Sequence, residues 1–239
     1  MEWFNGVKEW FAESLVSPKD LFIDIGERIA ETKIPILIVV GALFVLAIIG
    51  IVVFRKEGKV QDKKGWTARQ LAIGALCIAL AFALSFIRFM KMPQGGSVTL
   101  ASMLPIMIFA YVFGFRKGLL VGLAYGILQL FQDAYIVHWA QLFLDYILAF
   151  MVLAFAGIAR KKVSPWTFLL GMIVAGVARF LAHVLSGAIF FAEYAPEGQN
   201  AFVYSMGYNS FVFVDLAICI ILGMIFALTR IIKPLKLAR

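Results

Sequence analysis

IPILIVVGALFVLAIIGIVVF, residues 34–54, decides what kind of protein this is. The run of 21 residues contains no charge and no hydrogen-bonding side chain. As a helix it reaches about 31 Å, close to the thickness of a bilayer's hydrocarbon core. It is apolar on every side, so it needs lipid or a large protein core around it. Directly after it come Arg55, Lys56, Lys59, Lys63 and Lys64, the basic flank that marks the cytoplasmic end of a span.

Six further apolar segments follow, at about 67–87, 99–114, 118–132, 140–159, 166–190 and 208–231. With 63% hydrophobic residues, only 15% charged and a mean hydropathy of +0.94, the chain is too apolar for a water-soluble globule. The expectation is an all-α integral membrane protein with seven spans. Arg116-Lys117, Arg160-Lys161-Lys162 and the tail with Arg230, Lys233, Lys236 and Arg239 alternate with linkers at about 132–139 and 191–207 that hold no Lys or Arg. Arg88 and Lys91 are the exception. This pattern puts the N-terminus outside and the C-terminus in the cytoplasm.

The expected organisation has five parts. Residues 1–33 form an amphipathic interfacial segment: Trp3, Val7, Trp10, Phe11 and Leu15 fall at helical spacing. Ser17-Pro18 there suits a helix start, and Leu21, Phe22, Ile25 and Ile29 make a second stripe. A partner-binding hairpin is the other reading of this segment. Residues 34–54 are an extra transmembrane helix, 55–65 a basic cytoplasmic linker, 66–232 a core domain and 233–239 a basic cytoplasmic tail. The net charge of +8 is gathered in short clusters beside the spans, so it sets topology and does not indicate nucleic acid. Cys77 and Cys219 lie in apolar runs without metal-ligand spacing, and read as buried thiols with no disulfide.

Ionisable residues inside spans are costly and therefore candidates for function. Four stand out: Asp145, Arg179, His183 and Asp215. Gln141 and Asp145 are one turn apart, as are Arg179 and His183, so each pair shares a helix face. Ser186 and Gly187 extend the second face outward, towards a linker holding Phe190, Phe191, Tyr194, Tyr204, Tyr208 and then Asn209. A carboxylate, an imidazole, an amide and several rings suit a flat, aromatic, cationic ligand. The carboxylate supplies countercharge, the rings stack, and an amide both donates and accepts on a pyrimidine edge. A purely structural ion pair between Arg179 and Asp215 is the competing reading for those two. Ala68, Ala72, Ala75, Ala79 and Ala83 run along one face of the first core segment. Small residues at that spacing admit a close helix, either from this chain or from a partner subunit.

Met92-Pro93-Gln94-Gly95-Gly96-Ser97, then Pro105 and Leu144-Asp145-Tyr146, resemble the thiamine S-component family of energy-coupling factor (ECF) vitamin transporters. So do Arg179-x3-His183-x2-Ser186-Gly187, the run from Phe190 to Pro196, and Tyr204-Ser205 with Tyr208-Asn209. The resemblance covers residues 66 to 232. It implies a six-helix S-component bundle that binds thiamine near its outer side, under a lid formed by the loop between the first two core helices. It also implies ligand contacts from Tyr135, Asp145, Tyr146, His183, Phe191, Tyr204 and Asn209. The chain departs from the family at Asp145, where Glu is common, at Phe191, where Trp can stand, and at Gln94-Gly95, where some relatives carry Trp.

The implied partners are a transmembrane coupling subunit and two ATPase subunits, with Ala75 and Ala79 as the docking face. The chain has no phosphate-binding loop of its own, no cofactor is expected, and no H-E-x-x-H cluster or paired nucleophile and base suggests an enzyme. Another vitamin or pyrimidine such as hydroxymethylpyrimidine, or a stand-alone secondary transporter, remain the alternatives.

Overall fold

The computed structural model describes residues 33–61, 65–158 and 164–229. The interfacial helices expected before Lys33 and the basic tail lie outside the described residues. The described chain is a helical bundle with one small hairpin. Its helices are α1 (Lys33–Gln61), α2 (Ala68–Ser85), α3 (Leu104–Phe113), α4 (Phe115–Gln129), α5 (Trp139–Gly157), α6 (Pro165–Phe190), α7 (Ala201–Tyr208) and α8 (Phe211–Leu228). Between α2 and α3 the chain folds back as antiparallel strands β1 (Arg88–Lys91) and β2 (Ser97–Thr99).

Local sequence explains most of the helix starts. Thr67 and Gln70 form a reciprocal capping box at α2, and Ser164 with Thr167 does the same at α6, whose first residue is Pro165. Helix α4 begins directly after α3 with no side-chain cap of its own. Its free N–H groups are met from outside: Phe115 and Arg116 donate to the two carboxylate oxygens of Glu57, at 3.2 and 3.0 Å. Glu57 belongs to α1, which continues as helix to Gln61, into the stretch expected as a basic cytoplasmic linker. The guanidinium of Arg116 also lies 4.3 Å from the centre of the Phe54 ring. The extra helix is thus fastened to the core by a buried carboxylate, and it packs along α4 and α6.

Five described helical segments are long and apolar enough to cross a membrane; α3 and α4 are not among them. With 10 and 15 residues, these two reach about 15 and 22 Å. The expected span at 99–114 is shortened because Thr99 ends the hairpin and Ala101 takes a left-handed turn with φ 56°. Helix α3 then sits inside the bundle with nine of its ten residues buried, and Tyr111, Phe109, Ile106 and Met107 anchor the core. Helix α4 carries Gly122 and Gly126 where α5 crosses it. A β-carbon at Gly122 would stand 2.5 Å from the Phe150 carbonyl oxygen, and one at Gly126 would strike the Tyr146 carbonyl. This close approach brings the α5 backbone inward at the residues that form the site.

The five alanines at 68, 72, 75, 79 and 83 are all exposed, while Gln70, Gly74, Ala81 and Ser85 face the core. No described part of the chain covers the alanine face, so packing among the described residues does not account for it.

Candidate ligand-binding site

A cavity of about 1080 Å³, counted to its open mouth, lies between the hairpin, α4, α5, α6 and the α7–α8 corner. Tyr135, Asp145, Tyr146, His183, Phe191, Tyr204 and Asn209 all line it. The seven residues are spread over 75 positions of sequence, and the fold brings them to one space.

Asp145 is its chemical centre. It lies in a π-helical turn, Phe143–Leu148, which interrupts the α-helical course of α5, a distortion frequent at functional sites. Its Oδ2 accepts from Gln141 Nε2 at 2.7 Å and Ser186 Oγ at 2.8 Å, and its Oδ1 lies 2.9 Å from His183 Nδ1. On the far side of the imidazole, Arg179 Nε donates to His183 Nε2 at 3.2 Å. An arginine can only donate, so Nε2 is the bare nitrogen and Nδ1 carries the proton given to Asp145. Arg179 continues to Asp215, with Nη1 and Oδ2 3.8 Å apart. Oδ1 of Asp215 accepts from the Thr99 backbone N–H at 3.2 Å and the Thr99 hydroxyl at 3.0 Å. The expected Arg179–Asp215 pair is therefore present, but as the inner part of a chain that runs from the cavity carboxylate to the root of the hairpin.

Aromatic side chains form the walls. Tyr135 and Phe191 face each other at 6.1 Å and 30°, and the Tyr135 hydroxyl meets that of Tyr194 at 2.9 Å. Tyr146 is turned by a bond from the Tyr135 N–H to its hydroxyl at 2.8 Å. Tyr204 stands beside Tyr208 at 6.0 Å. Asn209 commits its Nδ2 to Ser205 O, Ser205 Oγ and His183 O, at 2.9, 3.2 and 3.3 Å. Its carbonyl Oδ1 is the part left to meet a ligand.

The hairpin tip lines the cavity beside Tyr208. The Tyr208 hydroxyl accepts from Gln94 N–H at 2.8 Å and donates to Gly95 O at 2.9 Å. Gly95 and Gly96 both have positive φ, 86° and 84°, and Gly96 is pressed against the Phe211 ring so closely that a β-carbon would stand 2.5 Å from it. On the flank, Arg88 and Lys91 reach Asp133 at 3.0 and 3.5 Å. The hydrogen bond from Arg88, helped by the charge of Lys91, holds the Asp133 carboxyl below the usual carboxylate range.

Sequence reasoning missed the polar group at the C-terminal ends of α2 and α4. Gln129 Nε2 donates to Ser85 Oγ at 3.1 Å, Ser85 Oγ donates to Gln132 Oε1 at 2.5 Å, and all three residues line the cavity. The signal was available, because Gln129 and Gln132 are three apart at the end of an apolar run and so share a face. His138 accepts from Ala140 N at 3.0 Å as the N-cap of α5 and stacks on Phe190.

The sequence profile of a family described as thiamine transporter protein (Thia_YuaJ) matches residues 71–234. The chain belongs to this family. The thiamine transporter ThiT of Bacillus subtilis is 34% identical over 151 residues, 56% of this chain and 78% of that protein. The thiamine transporter ThiT of Lacticaseibacillus paracasei is 27% identical over 155 residues, again 56% of this chain and 74% of that one. A solved structure of ThiT from Listeria monocytogenes superposes with a TM-score of 0.61 at 29% identity, covering 67% of this chain and 93% of that one. Membership of the thiamine transporter family makes this a ThiT-type S-component, a multi-pass membrane protein and a transport protein, not an enzyme. The family match begins at residue 71, so α1 lies wholly outside it.

Proposed function

We propose that this chain is the substrate-binding subunit of an ECF transporter and captures thiamine from outside the cell. The observation that carries the reading is Asp145: a carboxylate held by three donors within an aromatic cavity, in a chain of the thiamine transporter family. Thiamine offers a thiazolium cation to the carboxylate and rings, and an aminopyrimidine edge to groups that donate and accept. Each ring facing the cation contributes about 0.5–2 kcal/mol. His183 and Asn209 Oδ1 are suited to the pyrimidine, Tyr135, Phe191 and Tyr204 to stacking, and Tyr146 to shaping the wall beside Asp145. One methylene shorter than Glu and already engaged by Gln141, Ser186 and His183, Asp145 acts on the ligand mainly through its charge.

The subunit works with a transmembrane coupling subunit and two ATPase subunits. Ala75 and Ala79 on the uncovered face of α2 are the docking surface, where small side chains admit a partner helix closely. The N-terminus lies outside and the C-terminus in the cytoplasm, as the distribution of Lys and Arg indicates.

The test is thiamine titration of the detergent-purified protein by quenching of its tryptophan fluorescence. Saturable binding is expected, weakened in Asp145→Asn by about 30-fold or more, the scale of losing one partner from a buried charge pair. Folded protein that ignores thiamine but binds hydroxymethylpyrimidine or another vitamin would replace the ligand.

A further inference from the structure

The groups assigned to thiamine come from α5, the turn before it, the end of α6 and the α7–α8 corner. The cavity has a further polar corner, built from the C-terminal ends of α2 and α4, that this assignment leaves unused. Ser85 closes α2, Gln129 closes α4, and Gln132 stands three residues beyond Gln129. All three line the cavity, and Ser85 and Gln132 are only 4% and 8% exposed.

The backbone turns Gln132 inward. Its N–H donates to Gln129 O at 3.1 Å in the tight turns that end α4, and the next residue, Asp133, takes a left-handed φ of 53°. Phe131 and Asp133 on either side are exposed, while Gln132 between them is buried. Its side chain is then held by one end. Ser85 Oγ accepts from Gln129 Nε2 and donates to Gln132 Oε1. The carboxamide is planar, so fixing Oε1 fixes where Nε2 points. Nε2 is buried and has no hydrogen-bond partner. A buried donor left unmatched costs about 1–3 kcal/mol, so this amide calls for an acceptor from the cavity.

The charges nearby decide which acceptor. Arg88 and Lys91 line the same cavity, but Asp133 engages both, at 3.0 and 3.5 Å. An anionic group would have to face that carboxylate, and a neutral oxygen would not. Thiamine carries one such oxygen, the hydroxyl that ends the arm on its thiazolium ring, at the opposite end of the molecule from the aminopyrimidine edge.

We propose that Gln132 is a specificity-determining residue whose Nε2–H donates to the hydroxyl of the thiazolium arm, with Ser85 and Gln129 as positioning residues behind it. The inference rests on the thiamine reading of the same cavity and assigns the α2–α4 corner to the arm. A site that hydrogen-bonds a ligand hydroxyl disfavours the analogue without it, because the buried donor is then left unpaired.

The experiment uses the full chain in detergent and compares thiamine, its deoxy analogue with an ethyl arm, and thiamine monophosphate. In the wild type the deoxy analogue should bind about tenfold more weakly than thiamine, the scale of one buried hydrogen bond. Gln132→Met keeps the length of the side chain and removes the amide. The Ser85 hydroxyl still has the Phe82 carbonyl as acceptor, 2.6 Å away, so the exchange strands no hydroxyl. In this variant thiamine should lose about tenfold and the analogue little, so that the two bind within about twofold of each other. Ser85→Ala, which frees the amide to turn, should narrow the wild-type ratio by about threefold, and it carries the test if the Gln132 variant does not fold.

Equal affinity for thiamine and the deoxy analogue in the wild type overturns the proposal without any variant. So does a folded Gln132→Met protein in which the ratio is unchanged because both ligands weaken alike, the mark of a merely structural role. Thiamine monophosphate that binds the wild type more tightly than thiamine, with the advantage lost in Gln132→Met, transfers the contact to a phosphate oxygen and overturns the hydroxyl assignment. Folded wild type that binds none of the three ligands defeats the thiamine reading itself, and this inference with it.

Discussion

The Tyr208 hydroxyl donates to the Gly95 carbonyl at 2.9 Å and accepts from the neighbouring Gln94 N–H at 2.8 Å, so one phenol on α7 satisfies both sides of the hairpin tip. Tyr208 is also a wall of the cavity and adjoins Asn209. The residue that holds the hairpin tip is therefore also part of the cavity wall. Tyr208→Phe keeps the ring and removes both bonds, each contributing about 0.5–1.5 kcal/mol. Thiamine should dissociate about tenfold faster from this variant in stopped-flow displacement. An unchanged dissociation rate would mean that the hairpin tip does not retain the ligand.

The ion pairs from Arg88 and Lys91 to Asp133 are a second fastening, of a different kind. Asp133 is exposed and water screens the pairs. Because its carboxyl is held below the usual range, the contribution is fully present above the ordinary carboxylate value and is lost only as pH falls through the depressed one. Thiamine dissociation should thus show no step from this latch between about pH 5 and 8. Asp133 has φ 53°, a conformation Asn also tolerates, so Asp133→Asn removes charge without strain. Dissociation should rise by less than about threefold, and the difference should vanish near 1 M salt. A larger effect that persists in high salt would show that Asp133 acts through something other than these pairs.

Helical spacing made much of the site legible. Gln141 with Asp145, and Arg179 with His183, are each one turn apart, and a contact along a helix is encoded by that spacing alone. The alanine face of α2 was legible in the same way, although only the structure shows it uncovered. Contacts between distant segments were not. Thr99 meets Asp215 across 116 positions and Gln94 meets Tyr208 across 114, and no periodicity records such pairs. The short α3 was hidden for a related reason: residues 99–103 are as apolar as a span, yet Thr99 is drawn to Asp215 and the helix starts only at Leu104. The π-helical turn at Asp145 lies where α5 passes close to the glycines of α4, and it left no mark in its own sequence.

Glu57 gives helix α1 a physical role. Its carboxylate takes the two N–H groups that open α4. Glu57→Ala leaves those donors buried without it, at a cost of about 0.5–2 kcal/mol typical of a lost helix cap. The variant should unfold at lower temperature, and protease should release α1 from the core sooner. Thiamine affinity should stay within about twofold, because a lost cap is a stability effect and Glu57 does not line the cavity. Weakened binding at full stability would connect α1 to the site instead.

Ala79 and Ala75 separate capture from transport. Both are exposed on α2, so a larger side chain at either meets no described residue of this chain. Ala79→Leu and Ala75→Leu should therefore fold and bind thiamine like the wild type, since surface changes of this sort usually shift stability by less than about 0.5 kcal/mol. Against a partner helix the added bulk prevents the close approach that small residues allow. In cells carrying the ATPase and coupling subunits, ATP-dependent thiamine uptake should fall by about tenfold or more, and the subunits should co-purify less well. Ala83→Leu, one turn further along the same face, tests how far the contact extends: loss of uptake there too would lengthen the docking surface towards the hairpin. Full uptake by both the Ala75 and Ala79 variants would move the docking surface off this face of α2.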